Sequence, residues 1–326
     1  MFTDLRPIHV FQAAGNIRDL AHPTPLRHSP ALSRLAGGDV HLKLETEQIT
    51  GSFKLRGALN TLASLTPDER RRGVVTSSAG NHGLGVAFAA RHWGAPALIF
   101  VPRSAPQVKK DGIAALGATI DDSATDYDHA MALAIQAAAE RGVPFINPCL
   151  GDPLLAGQGT VALEIVAELP HVRSVVTCVG GGGLLGGMGV FLRGVAPHVR
   201  IHGAQSEQTA AMTRSLRAGQ VVEIPSVPTL ADGLAGQIDA EALAIGQAML
   251  DDVVLLSEDD IARTIAWLAR EEGVTAEGAG AVAVGAVLLE RLTELRFPAA
   301  IVVSGRNIDE ARHAEVLARF GAPGDA

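Results

Sequence analysis

Lys54 lies in "ITGSFKLRGALN", residues 49–60, between Phe53 and Leu55. Of the 27 basic Lys and Arg residues only four are lysines, Lys43, Lys54, Lys109 and Lys110. A chain that places arginine almost everywhere else keeps an amine here, amid apolar and small neighbours. An amine can shed its proton and become a nucleophile, which a guanidinium does not do in proteins. That chemistry is condensation with a carbonyl, or proton abstraction once the amine is released.

Three glycine-rich turns supply possible partners. Gly180, Gly181, Gly182 and Gly183 follow the run "SVVTCV" and precede an apolar helical pattern opening at Leu184. Such a loop lets backbone N–H groups and a helix N-terminus converge on an anion, and a phosphate suits it. Alone it also describes a turn or a close helix–strand contact. No GK[ST] marks a P-loop, and no acid sits about twenty residues on to hold a ribose, so neither ATP nor NAD fits. In "TSSAGNHG", residues 76–83, Ser77, Ser78, Asn81 and His82 place short polar groups beside open amides, a cradle for a carboxylate. Singly, Asn81 and the serines read as helix caps. In "VVSGRNID", residues 302–309, Ser304 offers a neutral hydroxyl to a ring nitrogen. An amine, a phosphate loop and neutral contacts for an aromatic ring together point to pyridoxal 5′-phosphate, an electron sink for a carbanion at Cα of an amino acid.

These groups need a scaffold. Strands are expected at 73–78, 97–102, 118–122, 174–179, 200–205 and 299–305, and helices at 81–92, 106–116, 126–141, 158–168, 184–194, 258–272 and 308–319. That alternation predicts an α/β fold with mostly parallel sheets and a ligand beyond the strands' carboxyl ends. At 326 residues there is room for one large domain or two of ordinary size. A formal charge of −8 lacks the footprint of a nucleic-acid binder and favours a small-molecule partner. Two cysteines, Cys149 and Cys178, form no disulfide framework, and the N-terminus lacks a signal-peptide layout, which places the chain in the cytoplasm. The uncharged stretch 174–192 is long enough to span a bilayer, but seven of its nineteen residues are glycine, which argues against a membrane helix.

In order along the chain, "TGSFKLRGA", "SAGNHG", "AGQGTVALEI", "VGGGGLLGG", "ADGLA" and "SGRNID" resemble the motifs of the fold-type II pyridoxal-phosphate enzymes, in the serine/threonine dehydratase and serine racemase group. The resemblance runs from about residue 20 to residue 310. It implies a two-domain fold similar to the tryptophan synthase β chain: a large cofactor-binding domain of residues 1–67 and 148–326, and a small mobile domain, 68–147, that closes over the substrate. It implies that Lys54, after Phe53, holds the cofactor as a Schiff base, that Asn81 meets the ring 3′-oxygen, and that Gly180 to Gly183 with Leu184 bind the phosphate. Ser304 would face the pyridine nitrogen. Ser78, Ala79, Gly80, Asn81 and His82, with Ser77 beside them, would receive the substrate carboxylate. Asp232 and Gly233 would lie near the substrate side chain. Tyr127 would stand at the cleft mouth, where a structural role is equally open. The family usually forms dimers or larger assemblies, so a homodimer or homotetramer is expected.

The activity implied is β-elimination from an L-β-hydroxy amino acid, giving a 2-oxo acid and ammonia. Threonine, serine and phenylserine-like substrates rank above hydroxyaspartate, because Tyr127 is neutral where some relatives carry a charge. Four features narrow the reading. Ala79 stands where the group's racemases carry an acid/base serine, so little racemisation is expected. Gln205 and Ala211 stand where metal-binding members carry acids; with Glu207 alone nearby, no metal site is expected. Glu277 lacks the proline usual after it, read as a change of helix start, and Arg306 replaces a common glycine, read as a solvated side chain. The chain stops at Ala326, leaving no room for a regulatory domain, so feedback inhibition there is not expected. Other readings are a specialised dehydratase of hydroxyectoine or 3-hydroxyaspartate breakdown, a β-replacement enzyme of the cysteine synthase type, and a non-catalytic pyridoxal-phosphate binder. A nicotinamide dehydrogenase would leave Lys54 unexplained.

Overall fold

A computed structural model describes residues 4–321. The chain opens with α1 (Pro7–Ile17), β1 (Leu26–His28), α2 (Pro30–Ala36), β2 (Val40–Leu44), α3 (Lys54–Ser64) and α4 (Pro67–Arg72). Next come β3 (Val74–Ser77), α5 (Asn81–Trp93), β4 (Ala97–Pro102), α6 (Gln107–Ala115), β5 (Thr119–Ala124) and α7 (Tyr127–Arg141). Then follow α8 (Asp152–Glu168), β6 (Ser174–Cys178), α9 (Gly183–Val195), β7 (Arg200–Ser206), α10 (Ala211–Ala218) and α11 (Ala240–Met249). The last elements are β8 (Asp252–Leu256), α12 (Glu258–Glu271), α13 (Gly278–Leu288), β9 (Ala299–Val303) and α14 (Glu310–Phe320).

The α/β class with parallel sheets is as expected. Six strands pair in the order β1-β2-β9-β6-β7-β8, with only the β1–β2 pair antiparallel, and β3-β4-β5 form a separate parallel sheet. Helices cover both faces of the larger sheet, so β6 and β9 are buried at every residue and read as unbroken apolar or small runs, SVVTC and AAIVV. The stretch 174–192 resolves into β6, the glycine turn and most of α9. Among the described residues no helix is long and apolar enough to cross a membrane.

Helices α3, α8 and α9 meet almost backbone to backbone. A Cβ on Gly157 would fall 2.5 Å from the carbonyl oxygen of Arg56, and one on Gly187 would fall 2.1 Å from that of Leu155. Beneath this stack the fully buried Arg56 guanidinium donates to Glu45 at 2.8 and 2.9 Å and to Glu164 at 2.6 and 2.9 Å. Lys43 of β2, also fully buried, donates to Glu164 at 2.6 Å. Two buried cations, the buried Glu45 and the partly exposed Glu164 thus satisfy one another.

Candidate active site

The site-bearing segments emerge where strands end. Lys54 opens α3 downstream of β2, the glycine loop follows β6, Ser304 follows β9, and the Asn81 turn follows β3. The parallel topology brings these carboxyl ends to one side, as open α/β sheets do.

Lys54 is placed by tertiary contacts rather than by a helix cap. The helix begins after Phe53, with no side-chain cap bond. The segment before it is clamped to the turn after β9: Ser52 bridges Gly305, Phe53 N–H donates to Ser304 O at 3.1 Å, Arg306 N–H donates to Gly51 O at 2.9 Å, and Asn307 Nδ2 donates to Thr50 O at 2.8 Å. Lys54 Nζ donates to the carbonyl of Pro148 at 2.7 Å and stands 5.3 Å from the centre of the Phe53 ring. From the other side α5 approaches closely, a Cβ on Gly85 falling 3.3 Å from the Lys54 carbonyl.

A cavity of about 710 Å³ opens at this point. Its lining includes Phe53, Lys54, the turn Ser78, Ala79, Gly80, Asn81 and His82, all of Gly180 to Gly183, Leu184 and Ser304. Tyr127, Asp232 and Gly233 line it further out. Ser77 alone among the expected residues does not; it is fully buried at the end of β3. Both cysteines, each a free thiol, also face the cavity.

The glycine loop is tight. Gly182 has φ +89°, a left-handed conformation that suits glycine, and it precedes the first turn of α9, whose amides lack helical partners. A Cβ on Gly183 would fall 2.7 Å from the Cys149 carbonyl oxygen, and one on Gly181 would fall 2.6 Å from the Cys149 sulfur.

Across the cavity, α5 starts after Gly80 without a side-chain cap, leaving its first-turn amides open. The His82 ring does not reach for a ligand. Its Nε2 lies 3.0 Å from Thr76 Oγ1 and 3.3 Å from Ile146 O, and burial, with Lys54 nearby, pulls it down to about 3, so the ring is neutral. The group it can turn to the cavity is its backbone N–H, in the uncapped first turn of α5. Asp232 is paired with Lys109 of α6 at 3.2 Å, a tie between the two sheets' territories at the cavity mouth.

The residue that motif reading missed is Glu277. It is buried, lines the cavity, and accepts a hydrogen bond from Asn81 Nδ2 at 2.6 Å. Its signal in the sequence is a lone acid ahead of GAGAVAVGAVL, a helix buried all round, where an acid has no solvent to face. The buried Gln205 amide accepts from the N–H and hydroxyl of Thr213 and donates to Thr209 O at 2.9 Å. Among the described residues no group of three or more His, Cys, Asp or Glu is arranged to hold a metal ion.

Residues 17–305 match the family described as pyridoxal-phosphate dependent enzyme. The chain belongs to this family. The enzyme is 42% identical to the L-threonine ammonia-lyase of Thermotoga maritima, over 91% of this chain and 74% of that one. It is 34% identical to the catabolic L-threonine dehydratase of Escherichia coli K12, over 94% of each. The maize serine racemase structure superposes with a TM-score of 0.91 at 28% identity, covering 97% of this chain and 98% of that one.

The cavity fits the family's cofactor: an amine projects into it, and its glycine loop leaves backbone where a side chain would otherwise fill the space. Substituting Gly183→Ala in this enzyme is expected to weaken pyridoxal phosphate binding roughly tenfold, about 1.4 kcal/mol. The new methyl must displace the Pro148–Cys149 backbone that also holds the Lys54 amine. Titration of cofactor-stripped protein, followed by absorbance, measures this; unchanged affinity would show that the loop is not the anion site.

Proposed function

We propose that the enzyme eliminates water from an L-β-hydroxy amino acid such as threonine, serine or a phenylserine-like substrate, and that the released enamine takes water back as it hydrolyses to a 2-oxo acid and ammonia. The observation that carries this is Lys54 Nζ in a cavity shared with the glycine loop and the open amides of α5. The relatives named threonine ammonia-lyase and threonine dehydratase support the same reaction with threonine. Lys54 would hold pyridoxal phosphate, Gly180 to Gly183 with Leu184 its phosphate, and Asn81 and Ser304 its ring. When bound, the cofactor supplies the electron sink that makes the Cα–H bond breakable. The α5 amides and the Ser78 hydroxyl orient the substrate carboxylate, and Lys54 Nζ takes the Cα proton.

The cavity's charged lining is Lys54 and Lys109 against Asp126, Asp128, Asp232 and Glu277. An excess of acids repels a side-chain carboxylate, which favours neutral β-hydroxy substrates over 3-hydroxyaspartate. Ala79 contributes only a methyl at the position expected to hold a second acid/base, so elimination should far outrun racemisation. Residues 68–147, containing the second sheet, would form a small domain closing on the rest, 1–67 and 148–326. A cytoplasmic homodimer or homotetramer completes the reading.

The test is an absorbance spectrum with pyridoxal phosphate, combined with 2-oxo acid, ammonia and serine-enantiomer assays over a panel of L-β-hydroxy amino acids. Keto acid from threonine or serine, without comparable formation of the D-enantiomer, is expected. Sulfide incorporated into an O-acylated serine without keto acid would instead establish a β-replacement enzyme.

A further inference from the structure

Glu277 occupies the N-cap position of α13, where a carboxylate ordinarily accepts the helix's first amides, yet it makes no such cap bond. Its side chain turns the other way. Oε1 accepts from Asn81 Nδ2 at 2.6 Å, and the Gly305 turn packs so tightly on it that a Cβ there would fall 2.4 Å from that oxygen. The Asn81 amide is held from its other end too. Asn307 Nδ2 donates to Asn81 Oδ1 at 2.6 Å and to Thr50 O at 2.8 Å. Thr50 O can only accept, so Asn307 must present nitrogen, Asn81 must answer with oxygen, and Asn81 Nδ2 must face Glu277. The amide's oxygen and one N–H are then committed. With its oxygen turned to Asn307, Asn81 keeps one uncommitted N–H, a donor fit for an oxygen anion in the cavity.

We propose that Glu277 is a positioning residue that converts Asn81 into a pure hydrogen-bond donor toward the cofactor's ring 3′-oxygen and, through its own charge, sets how strongly that donor pulls. The proposal rests on the pyridoxal-phosphate reading of the cavity. Because Asn81 belongs to α5, while Glu277 precedes α13 and Asn307 follows β9, the donor is aimed only when the second sheet sits against the first.

Burial, and next the Asp232 carboxylate, push the Glu277 carboxyl up to about 7, while the Asn81 N–H, Lys109 and Lys54 pull it down. The Cys178 thiol also faces it. Below that point the carboxyl is neutral and Asn81 donates freely to the ring oxygen. Above it the anion competes for the same amide and repels charge on that oxygen.

The experiment compares wild type with Glu277→Gln and Asn307→Ala, each stripped and reloaded with pyridoxal phosphate, reading the visible spectrum from about pH 6 to 8 and the cofactor's dissociation constant. Gln keeps an acceptor for Asn81 without the charge. Glu277→Gln should bind within about threefold of wild type but lose the spectral step near neutrality, while Asn307→Ala should bind roughly tenfold more weakly. A spectrum of Glu277→Gln that titrates as wild type does would overturn the proposal, whatever its activity. If wild type itself forms no visible band with the cofactor, it is the reading of the cavity that fails.

Discussion

Lys54→Ala is expected to lower keto-acid formation by about 10⁴-fold or more, because on the proposed reading one side chain would serve both as the cofactor's covalent attachment and as the base at Cα. The fold should survive. Lys54 Nζ donates to the Pro148 carbonyl and lies over the Phe53 ring, and α3 is anchored by the buried Leu55, Leu59 and Leu62 rather than by the amine. A far-UV spectrum and melting temperature close to wild type, with the visible cofactor band gone, is the expected signature. Lys54→Arg separates charge from chemistry: it keeps a cation in the cavity but cannot lose its proton, and it should be as inactive as alanine. Keto acid formed at a tenth of the wild-type rate by either variant, or more, would remove Lys54 from the mechanism.

The largest effect on stability is expected from Arg56→Met. The substitution keeps much of the volume but leaves Glu45, fully buried, with no cation, and leaves Glu164 with Lys43 alone. Breaking a buried pair by removing one partner costs about 3–5 kcal/mol. At roughly 1.5 °C per kcal/mol for a chain of this size, the melting temperature should fall by about 4–8 °C. Thermal denaturation of the holoenzyme measures it. Replacing Arg56 and Glu45 together by Met and Gln should recover part of the loss, because the stranded carboxylate is then gone. A loss under 1 kcal/mol for Arg56→Met would mean that water reaches the network.

The strands and turns that carry the cavity were legible because parallel, doubly covered strands are unbroken apolar runs ending in glycine or small polar turns. Helix α3 was not. It starts at Phe53–Lys54 with no capping residue and contains Gly57, so nothing local announces it, and its start is imposed by the turn after β9 some 250 residues later. Strand β2 was hidden by Lys43, a charge at a buried position that makes sense only with Glu164 beside it. The helix expected at 158–168 begins at Asp152, ahead of Gly157 and Gly159, two glycines whose purpose is close packing rather than a break. Glu277 looked like an ordinary helix start because its partner, Asn81, lies 196 residues away.

The order of the larger sheet has a consequence for the order of assembly. Its central strand, between β2 and β6, is β9, the last to leave the ribosome. Until it inserts, the sheet exists as two separate edges, β1-β2 and β6-β7-β8, whose mutual contact awaits a strand not yet made. The clamp on Lys54 and the serine that faces the cavity arrive on that same strand's end. A nascent or prematurely terminated chain therefore carries the reactive amine without the geometry to use it. Non-local closure of this kind is slow and exposes unpaired edges while it waits. Sheet and Lys54 clamp thus both wait on one late step, the pairing of residues 299–303 between β2 and β6.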